Sequence, residues 1–349
     1  MNEFDQTLED QSMSYVGMIA KFPLGVHDLQ SFITPENHLF VLSHLGIPAI
    51  DIEQWKLKIS GLVEQNLELS YQNLLSLEYR ELTVFHECSG NPLQPKVPTR
   101  LISNVTWGGV SLRAILNQLQ VKPEARYVWF VGTDRGVYEG VASDSYIKDI
   151  PIEKALDNDV LLAYKLNGEF LSAERGFPLR LVVPGYYGTN FVKWLSHIYV
   201  TNQRSPGPFT TTFYNDRVGG DDATLKPVWE VAPESVIVHP SQNEVLYLQP
   251  QTLSGWAWAS KGIQSVDVST DGGITWQAAE VESRLQYAWQ RFTFQWTPPT
   301  PGQYSLMSRA TDCDGVIQPI QQERNAIYTV AVTVKETTIK GFDSFTVAE

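Results

Sequence analysis

The chain has two cysteines, Cys88 and Cys313, and they frame the question of chemistry. Cys88 lies in Phe85-His86-Glu87-Cys88-Ser89-Gly90-Asn91, where Gly90-Asn91 marks a loop and not a core strand. A thiol in such a loop can serve as a metal ligand once deprotonated, whereas a thiol in apolar surroundings is inert. Cys313 reads as a small buried apolar residue. No CxxC pair, no Cys/His zinc spacing and no haem-attachment CxxCH is present, so a disulfide framework is not indicated, although one bridge is formally possible. No Gly-rich phosphate loop of the dinucleotide or P-loop type occurs.

The elements that must position Cys88 come from the pattern of apolar runs. Trp55–Ser60, Leu82–Glu87, Tyr127–Gly132, Val160–Leu166 and Leu179–Pro184 are rich in β-branched and aromatic residues and are bounded by Gly, Asn or Pro, so they read as strands. Ser111–Gln118 reads as a short helix with Leu112, Ile115 and Leu116 on one side, and Ile150–Leu156 as a second helix. Together these predict an α+β domain with mixed sheets. Residues 202–226 are rich in Gly, Pro and Thr and read as an ordered crossing segment. From Pro227 the character changes. Val236–Val238, Val245–Leu248, Gly255–Trp258, Ser265–Ser269, Arg291–Trp296, Gln303–Arg309 and Ala326–Val334 are short strands separated by turn residues such as Asp271-Gly272-Gly273 and Pro301-Gly302. Regular short strands of this kind predict an all-β immunoglobulin-like sandwich. The expected organisation is an N-terminal tail (1–21), a first domain with the crossing segment at its end (22–226), the sandwich (227–336) and a C-terminal tail (337–349).

Composition bounds the partners. Of 349 residues 43% are hydrophobic, enough for two cores, and the formal charge is −13. A surface this acidic argues against nucleic acid or an anionic membrane as partner, and an anionic substrate would need a local cluster of cations. No apolar run reaches the roughly 20 residues that span a bilayer. Met1–Ala20 lacks Lys and Arg and has no apolar signal stretch. The expected compartment is therefore cytoplasmic, or periplasmic if a signal segment has been removed.

Several ordered motifs resemble the sulfite oxidase family of molybdopterin-dependent oxidoreductases. Cys88-Ser89-Gly90-Asn91 is similar to the Cys-Ala-Gly-Asn motif of sulfite oxidases and plant nitrate reductases, and Trp107-Gly108-Gly109-Val110-Ser111-Leu112 follows at the family's spacing. Arg175-Gly176-Phe177-Pro178-Leu179-Arg180, Pro184-Gly185 and Val192-Lys193-Trp194-Leu195 come next in family order. In the second half, Gly255-Trp256-Ala257-Trp258, Val266-Asp267-Val268-Ser269, Asp271-Gly272-Gly273, Thr275-Trp276 and Arg309-Ala310-Thr311-Asp312 resemble the family's dimerisation domain. The resemblance covers roughly residues 30 to 320.

The resemblance implies a molybdenum cofactor, held by a pyranopterin dithiolene and by the Cys88 thiolate, a soft ligand suited to a redox-active metal. It places His44, Asp134, Arg175, Arg180 and Lys193 around the cofactor, with the cations on its phosphate. It makes Trp107 a wall of the pocket at the metal's open face, and it aligns Tyr214 with a tyrosine whose hydroxyl points at the metal's oxygen ligand. The implied reaction is two-electron oxygen-atom transfer to or from a small-molecule oxo acceptor or donor. Electrons would leave to a separate electron-transfer partner, and the sandwich would form a homodimer.

Two family arginines that surround sulfite fall here on Leu42 and Leu93, and the family's C-terminal Trp-Asn-x-x-Gly segment is not recognisable near Gln321–Ile327. A substrate other than sulfite is expected, such as an S-oxide, an N-oxide or an organic sulfur compound. The competing reading is a sulfite dehydrogenase in which His86, Lys96, Arg100 or Arg135 substitute for the lost cations. A third reading is a non-enzymatic β-rich scaffold or binding protein.

Overall fold

A computed structural model describes residues 19–21, 24–91, 97–219, 224–320 and 324–336. Leu93 and Lys96 lie outside the described residues, as do 1–18 and 337–349 of the expected tails.

The first half builds two sheets around one core. One sheet has five strands in the order Ile147–Pro151, Tyr127–Gly132, Leu195–Thr201, Lys56–Gly61 and Leu67–Ser70. Leu195–Thr201 pairs parallel with Lys56–Gly61 and antiparallel with Tyr127–Gly132, so the sheet is mixed. The other sheet runs Glu169–Phe170, Leu161–Leu166, Ile102–Ser111 and Tyr79–Glu87, with Arg180–Val182 also paired to Leu161–Leu166. Tyr79–Glu87 pairs with Ile102–Ser111 along its whole length, from Tyr79 opposite Val110 to Glu87 opposite Ile102. That long ladder carries the chain rigidly to Cys88.

Two sequence expectations shift in informative ways. The helix expected over Ser111–Gln118 spans Leu112–Leu119, because the Ser111 side chain accepts a bond from Ala114 N and so caps the helix from outside. The segment expected as a helix over Ile150–Leu156 divides at Pro151. Ile147–Pro151 is a strand and only Ile152–Ala155 is helical. The residue before a proline is pushed toward extended backbone, so the helix starts after Pro151. The described part of the crossing segment contains a helical turn, Pro208–Thr211, and pairs Asn215–Val218 with Thr224–Pro227.

The second half packs a four-stranded sheet (Glu234–His239, Gln251–Trp258, Gln290–Trp296, Glu280–Val281) against a five-stranded one (Val245–Tyr247, Thr329–Lys335, Gly302–Asp312, Ile263–Ser269, Gln277–Ala278). Gln290–Trp296 shows why the alternation was readable: every second residue is buried. Trp256, Trp258, Trp289 and Trp296 are buried in this core, whereas Trp276 is partly exposed beneath the Arg309 guanidinium. The sandwich core also takes in Val26, Leu29, Phe85, Ile102 and Tyr187 from the first half, so the two halves share apolar contact. Cys313 is exposed, against its expected burial, because it follows the end of strand Gly302–Asp312 in a turn.

Gly109 shows how tightly the strands beside the site are packed. A Cβ there would stand 2.1 Å from the Leu162 carbonyl oxygen and 2.6 Å from Ala163 Cα. Backbone cannot move aside as a flexible side chain can. Gly109→Ala is therefore expected to lower the melting temperature by roughly 5 °C or more, measured by calorimetry.

Candidate active site

Cys88 follows strand Tyr79–Glu87 directly and is fixed on both sides. Its N–H donates to Leu101 O at 2.9 Å, and its carbonyl accepts from Asn91 N at 2.9 Å, closing a tight turn. Gly90 N lies 3.4 Å from Cys88 Sγ. The Asn91 amide completes the clamp. Its Oδ1 accepts from Leu101 N at 2.5 Å and its Nδ2 donates to Glu87 Oε1 at 3.2 Å. Glu87 is fully buried, and two side chains from the sandwich hold it: Trp258 Nε1 donates to Oε2 at 2.8 Å and Asn325 Nδ2 to Oε1 at 3.0 Å. Asn325 Nδ2 also reaches Glu234 Oε2 at 2.8 Å. The sequence reading missed Glu87, Trp258 and Asn325 as supports of Cys88. Nothing short of the fold shows that a carboxylate next to the cysteine points away from solvent.

The cysteine opens into a cavity of about 670 Å³. Seven of the eight residues singled out in the sequence line it: His44, Cys88, Asp134, Arg175, Arg180, Lys193 and Tyr214. Trp107 does not. It is buried behind Arg180, whose guanidinium carbon lies 4.6 Å from the indole centroid, and it lines an adjoining void of about 260 Å³ with His86, Arg175 and Arg180. Tyr146, Ser43, Thr189 and Phe191 also line the main cavity, and no sequence pattern pointed to them.

The cavity's dominant feature is buried positive charge. Arg175 donates Nη1 to Phe40 O at 2.8 Å and Nη2 to Leu39 O at 3.1 Å. Arg180 donates Nη1 to Arg175 O at 2.9 Å. Lys193 Nζ donates to Glu174 O at 3.1 Å and sits 4.2 Å from the Trp194 ring centroid. Arg175 Nε and Arg180 Nε are buried and have no hydrogen-bond acceptor among the described residues. Burial, with Arg180 nearby, pushes the Lys193 ammonium down to about 7; burial, with Arg175 nearby, pushes Arg180 down to about 9. Both shifts show charged groups short of an anion. Asp134 is the neighbouring carboxylate, and burial raises it to about 7 against the pull of Lys193.

The opposite wall is aromatic. The Tyr214 hydroxyl forms a short hydrogen bond with His44 Nε2, and Tyr214 takes the left-handed backbone conformation at φ 59°. Burial first, then Lys193 and Lys148, lower His44 to about 3, so the imidazole is neutral. Leu42 lines the cavity directly. The proposed substitute cations do not fill its place. Arg100 is fully buried elsewhere and bonded to Glu234 Oε1 at 2.8 Å. Arg135 is exposed and outside the cavity lining. His86 does line the cavity, but burial and the adjacent Arg180 push it well below its ordinary range, so it is neutral.

Among the described residues no three His, Cys, Asp or Glu side chains converge to cage a metal ion. Cys88 is the thiol that lines this cavity, and its thiolate could bind a soft metal carried by a bound group. The three cations with spare N–H donors fit the anionic end of such a group.

Comparison with known proteins identifies the class. Residues 44–209 match the family model described as the oxidoreductase molybdopterin binding domain, and residues 226–335 match the Mo-co oxidoreductase dimerisation domain. The chain therefore belongs to the sulfite oxidase family of molybdenum-cofactor oxidoreductases. Mitochondrial sulfite oxidase of Homo sapiens is 30% identical over 319 residues, which cover 83% of this chain and 58% of that protein. NADH nitrate reductase 1 of Phaseolus vulgaris is 30% identical over 286 residues, 72% of this chain and 32% of that protein. The chain thus spans little more than half the length of the sulfite oxidases it matches. The crystal structure of the sulfane dehydrogenase SoxCD from Paracoccus pantotrophus superposes with a TM-score of 0.78 at 30% identity, covering 93% of this chain and 87% of that one.

Burial pushes the Cys88 thiol up to about 11. The sign is clear: below that value the metal-free protein carries a thiol, and nucleophilic thiolate appears only as pH rises. At pH 8 only about one Cys88 in a thousand is thiolate, and the cavity further limits access. Iodoacetamide at pH 8 is expected to modify exposed Cys313 first, with Cys88 lagging by roughly 100-fold or more in peptide mapping of cofactor-free protein. The lag should shrink as pH is raised toward 11.

Proposed function

We propose that this chain catalyses two-electron oxygen-atom transfer on a sulfur substrate that is larger or less charged than sulfite, with Cys88 as the ligand to a molybdenum cofactor. The cofactor, when bound, supplies the redox-active metal that exchanges the oxygen atom and two electrons. The protein's part is to bind, orient and hold protons. Arg175, Arg180 and Lys193 hold the cofactor's phosphate, with His44 and Asp134 beside it. Arg180 is braced from behind by Trp107, and Tyr214 presents its hydroxyl to the cavity from the opposite wall. Residues 22–226 form the cofactor domain and 227–336 the dimerisation domain, through which the chain forms a homodimer.

The observation that carries the substrate reading is Leu42 at the cavity wall, with none of the candidate substitute cations among the described residues placed to offset it. A doubly charged oxyanion placed there lacks charge-assisted partners, which costs several kcal/mol. The likeness to a sulfane dehydrogenase supports a sulfur substrate other than sulfite. The balanced half-reaction takes the sulfur compound and water to its oxide, two protons and two electrons. A separate electron carrier accepts the electrons, as the described residues hold no haem-attachment motif.

Two experiments test this reading. Protein made in a host able to assemble the cofactor is expected to carry about one molybdenum per chain, and Cys88→Ser to lose turnover at least 100-fold. Retained turnover in that variant removes Cys88 from its role. With ferricyanide as acceptor, kcat/KM for glutathione persulfide is expected to exceed that for sulfite. Leu42→Arg should reverse the order, mainly by lowering the KM for sulfite roughly 10-fold or more. A tight KM for sulfite in the unaltered enzyme overturns the reading of Leu42.

A further inference from the structure

Lys148 is the buried charge that the cofactor site does not use. It lies on strand Ile147–Pro151 and is 1% exposed. Its ammonium donates to Phe209 O at 2.7 Å and sits 5.4 Å from the centroid of the Tyr214 ring. Among the described residues it has no carboxylate within ion-pair distance. Neighbouring Asp149 is engaged by Arg204 Nε at 2.6 Å and Ser205 N at 2.8 Å. Desolvating an ammonium without an ion-pair partner is costly, and replacing buried charge with apolar atoms is often neutral or stabilising. The fold gains little from this lysine, so its effect must be sought in what it touches.

It touches the machinery of Tyr214 twice. Phe209 belongs to the turn Pro208–Thr211, which delivers Tyr214 to the cavity. The Phe209 ring packs at 4.4 Å on Tyr146 and 5.5 Å on His44, centroid to centroid. The ammonium also stands over the Tyr214 ring, whose hydroxyl is bonded to His44. We propose that Lys148 is a positioning residue for Tyr214: it anchors the turn through the Phe209 carbonyl, and its ammonium over the Tyr214 ring holds the phenol against His44 Nε2. Tyr214 then presents oxygen lone pairs, not its proton, to the cavity. The inference rests on Tyr214 working in that cavity.

The charges around this pair act in the same direction. His44 faces Lys193 as well as Lys148, and both hold it below its ordinary range after burial itself. Tyr214 faces Tyr146, Cys88 and Tyr138, which together with burial keep the phenol protonated. Lys148 faces Asp149 and Arg204, whose effects oppose one another, and burial brings it down to about 7. At pH 6 it is an ammonium.

Lys148→Met removes charge and tether, whereas Lys148→Gln keeps a donor for Phe209 O and removes only the charge. Both are expected to melt at or above the unaltered protein at pH 6. Both should lose kcat roughly 10-fold with KM little changed, assayed as holoenzyme with glutathione persulfide and ferricyanide. The ¹⁵N resonance of His44 Nε2 in cofactor-free protein should move from the hydrogen-bonded position toward that of Tyr214→Phe, where the bond is absent. The melting and NMR measurements need no substrate, so they decide the matter even if the persulfide is not turned over. A melting temperature several degrees lower together with an unmoved His44 resonance would mean that Lys148 serves the fold alone, and the proposal would fall. Unchanged kcat in an enzyme active on persulfide would overturn it equally.

Discussion

Three cations buried side by side, with Glu174 and Asp134 as the nearby carboxylates, set the terms for this molecule. Arg175, Arg180 and Lys193 repel one another, and burial weakens their hold on protons. Such a cluster stays in a fold only if something rigid surrounds it. Backbone carbonyls do this here. Leu39 and Phe40 solvate Arg175, the Arg175 carbonyl solvates Arg180, and the Glu174 carbonyl solvates Lys193. Each carbonyl is aimed inward by a short irregular segment, not by a strand ladder, which leaves its lone pairs free. Two guanidinium Nε–H groups remain without a hydrogen-bond acceptor among the described residues, with Glu174 Oε1 4.0 Å from one of them. Stability is thus given up locally in exchange for affinity toward an anionic group.

The same logic explains why the sandwich is more than an appendage. Glu87 precedes Cys88 and is sealed from water. A buried carboxyl must find donors, and Trp258 and Asn325 of the sandwich supply them. The loop that carries Cys88 is therefore pinned from both halves of the chain. Glu234 and Arg100 extend the network, with Asn325 bridging the two carboxyl groups. Burial and the neighbouring Glu234 push Glu87 well above its ordinary range, so this pair does not carry two full negative charges beside one guanidinium. Arg100 was a plausible substitute cation by residue type alone. Its engagement here shows why type is not enough: a charge serves the site only if its partner is not already chosen.

What could be read from the chain follows the range of the interactions. Strand alternation and turn residues are local, so Tyr127–Gly132 and the sandwich strands were legible, and so was the mixed α+β character ahead of the sandwich. The division at Pro151 was missed because the apolar pattern across Ile150–Leu156 suits either state, and only the pairing of Ile147–Pro151 with Tyr127–Gly132 decides it. The gathering of His44, Cys88, Asp134, Arg175, Arg180, Lys193 and Tyr214 at one cavity was anticipated only through motif order, because nothing in their spacing requires convergence. Lys148 was invisible for a physical reason: a charged residue between Ile147 and Ile150 reads as a solvated strand position, and its burial depends on the Pro208–Thr211 turn closing over it.

Substrate choice then reduces to where the positive charge is not. The cavity holds its cations on the side of Arg175, Arg180 and Lys193, and the wall near Leu42, His44 and Tyr214 presents an apolar group, a neutral imidazole and a phenol. The surrounding chain, at −13, adds no attraction for a small dianion. Steering of charged ligands depends on local fields that exceed the global one. Here the cations gather at Arg175, Arg180 and Lys193, while Leu42, His44 and Tyr214 offer polarisable and hydrogen-bonding surface to the same cavity. Such a surface suits recognition by shape and by a few neutral hydrogen bonds.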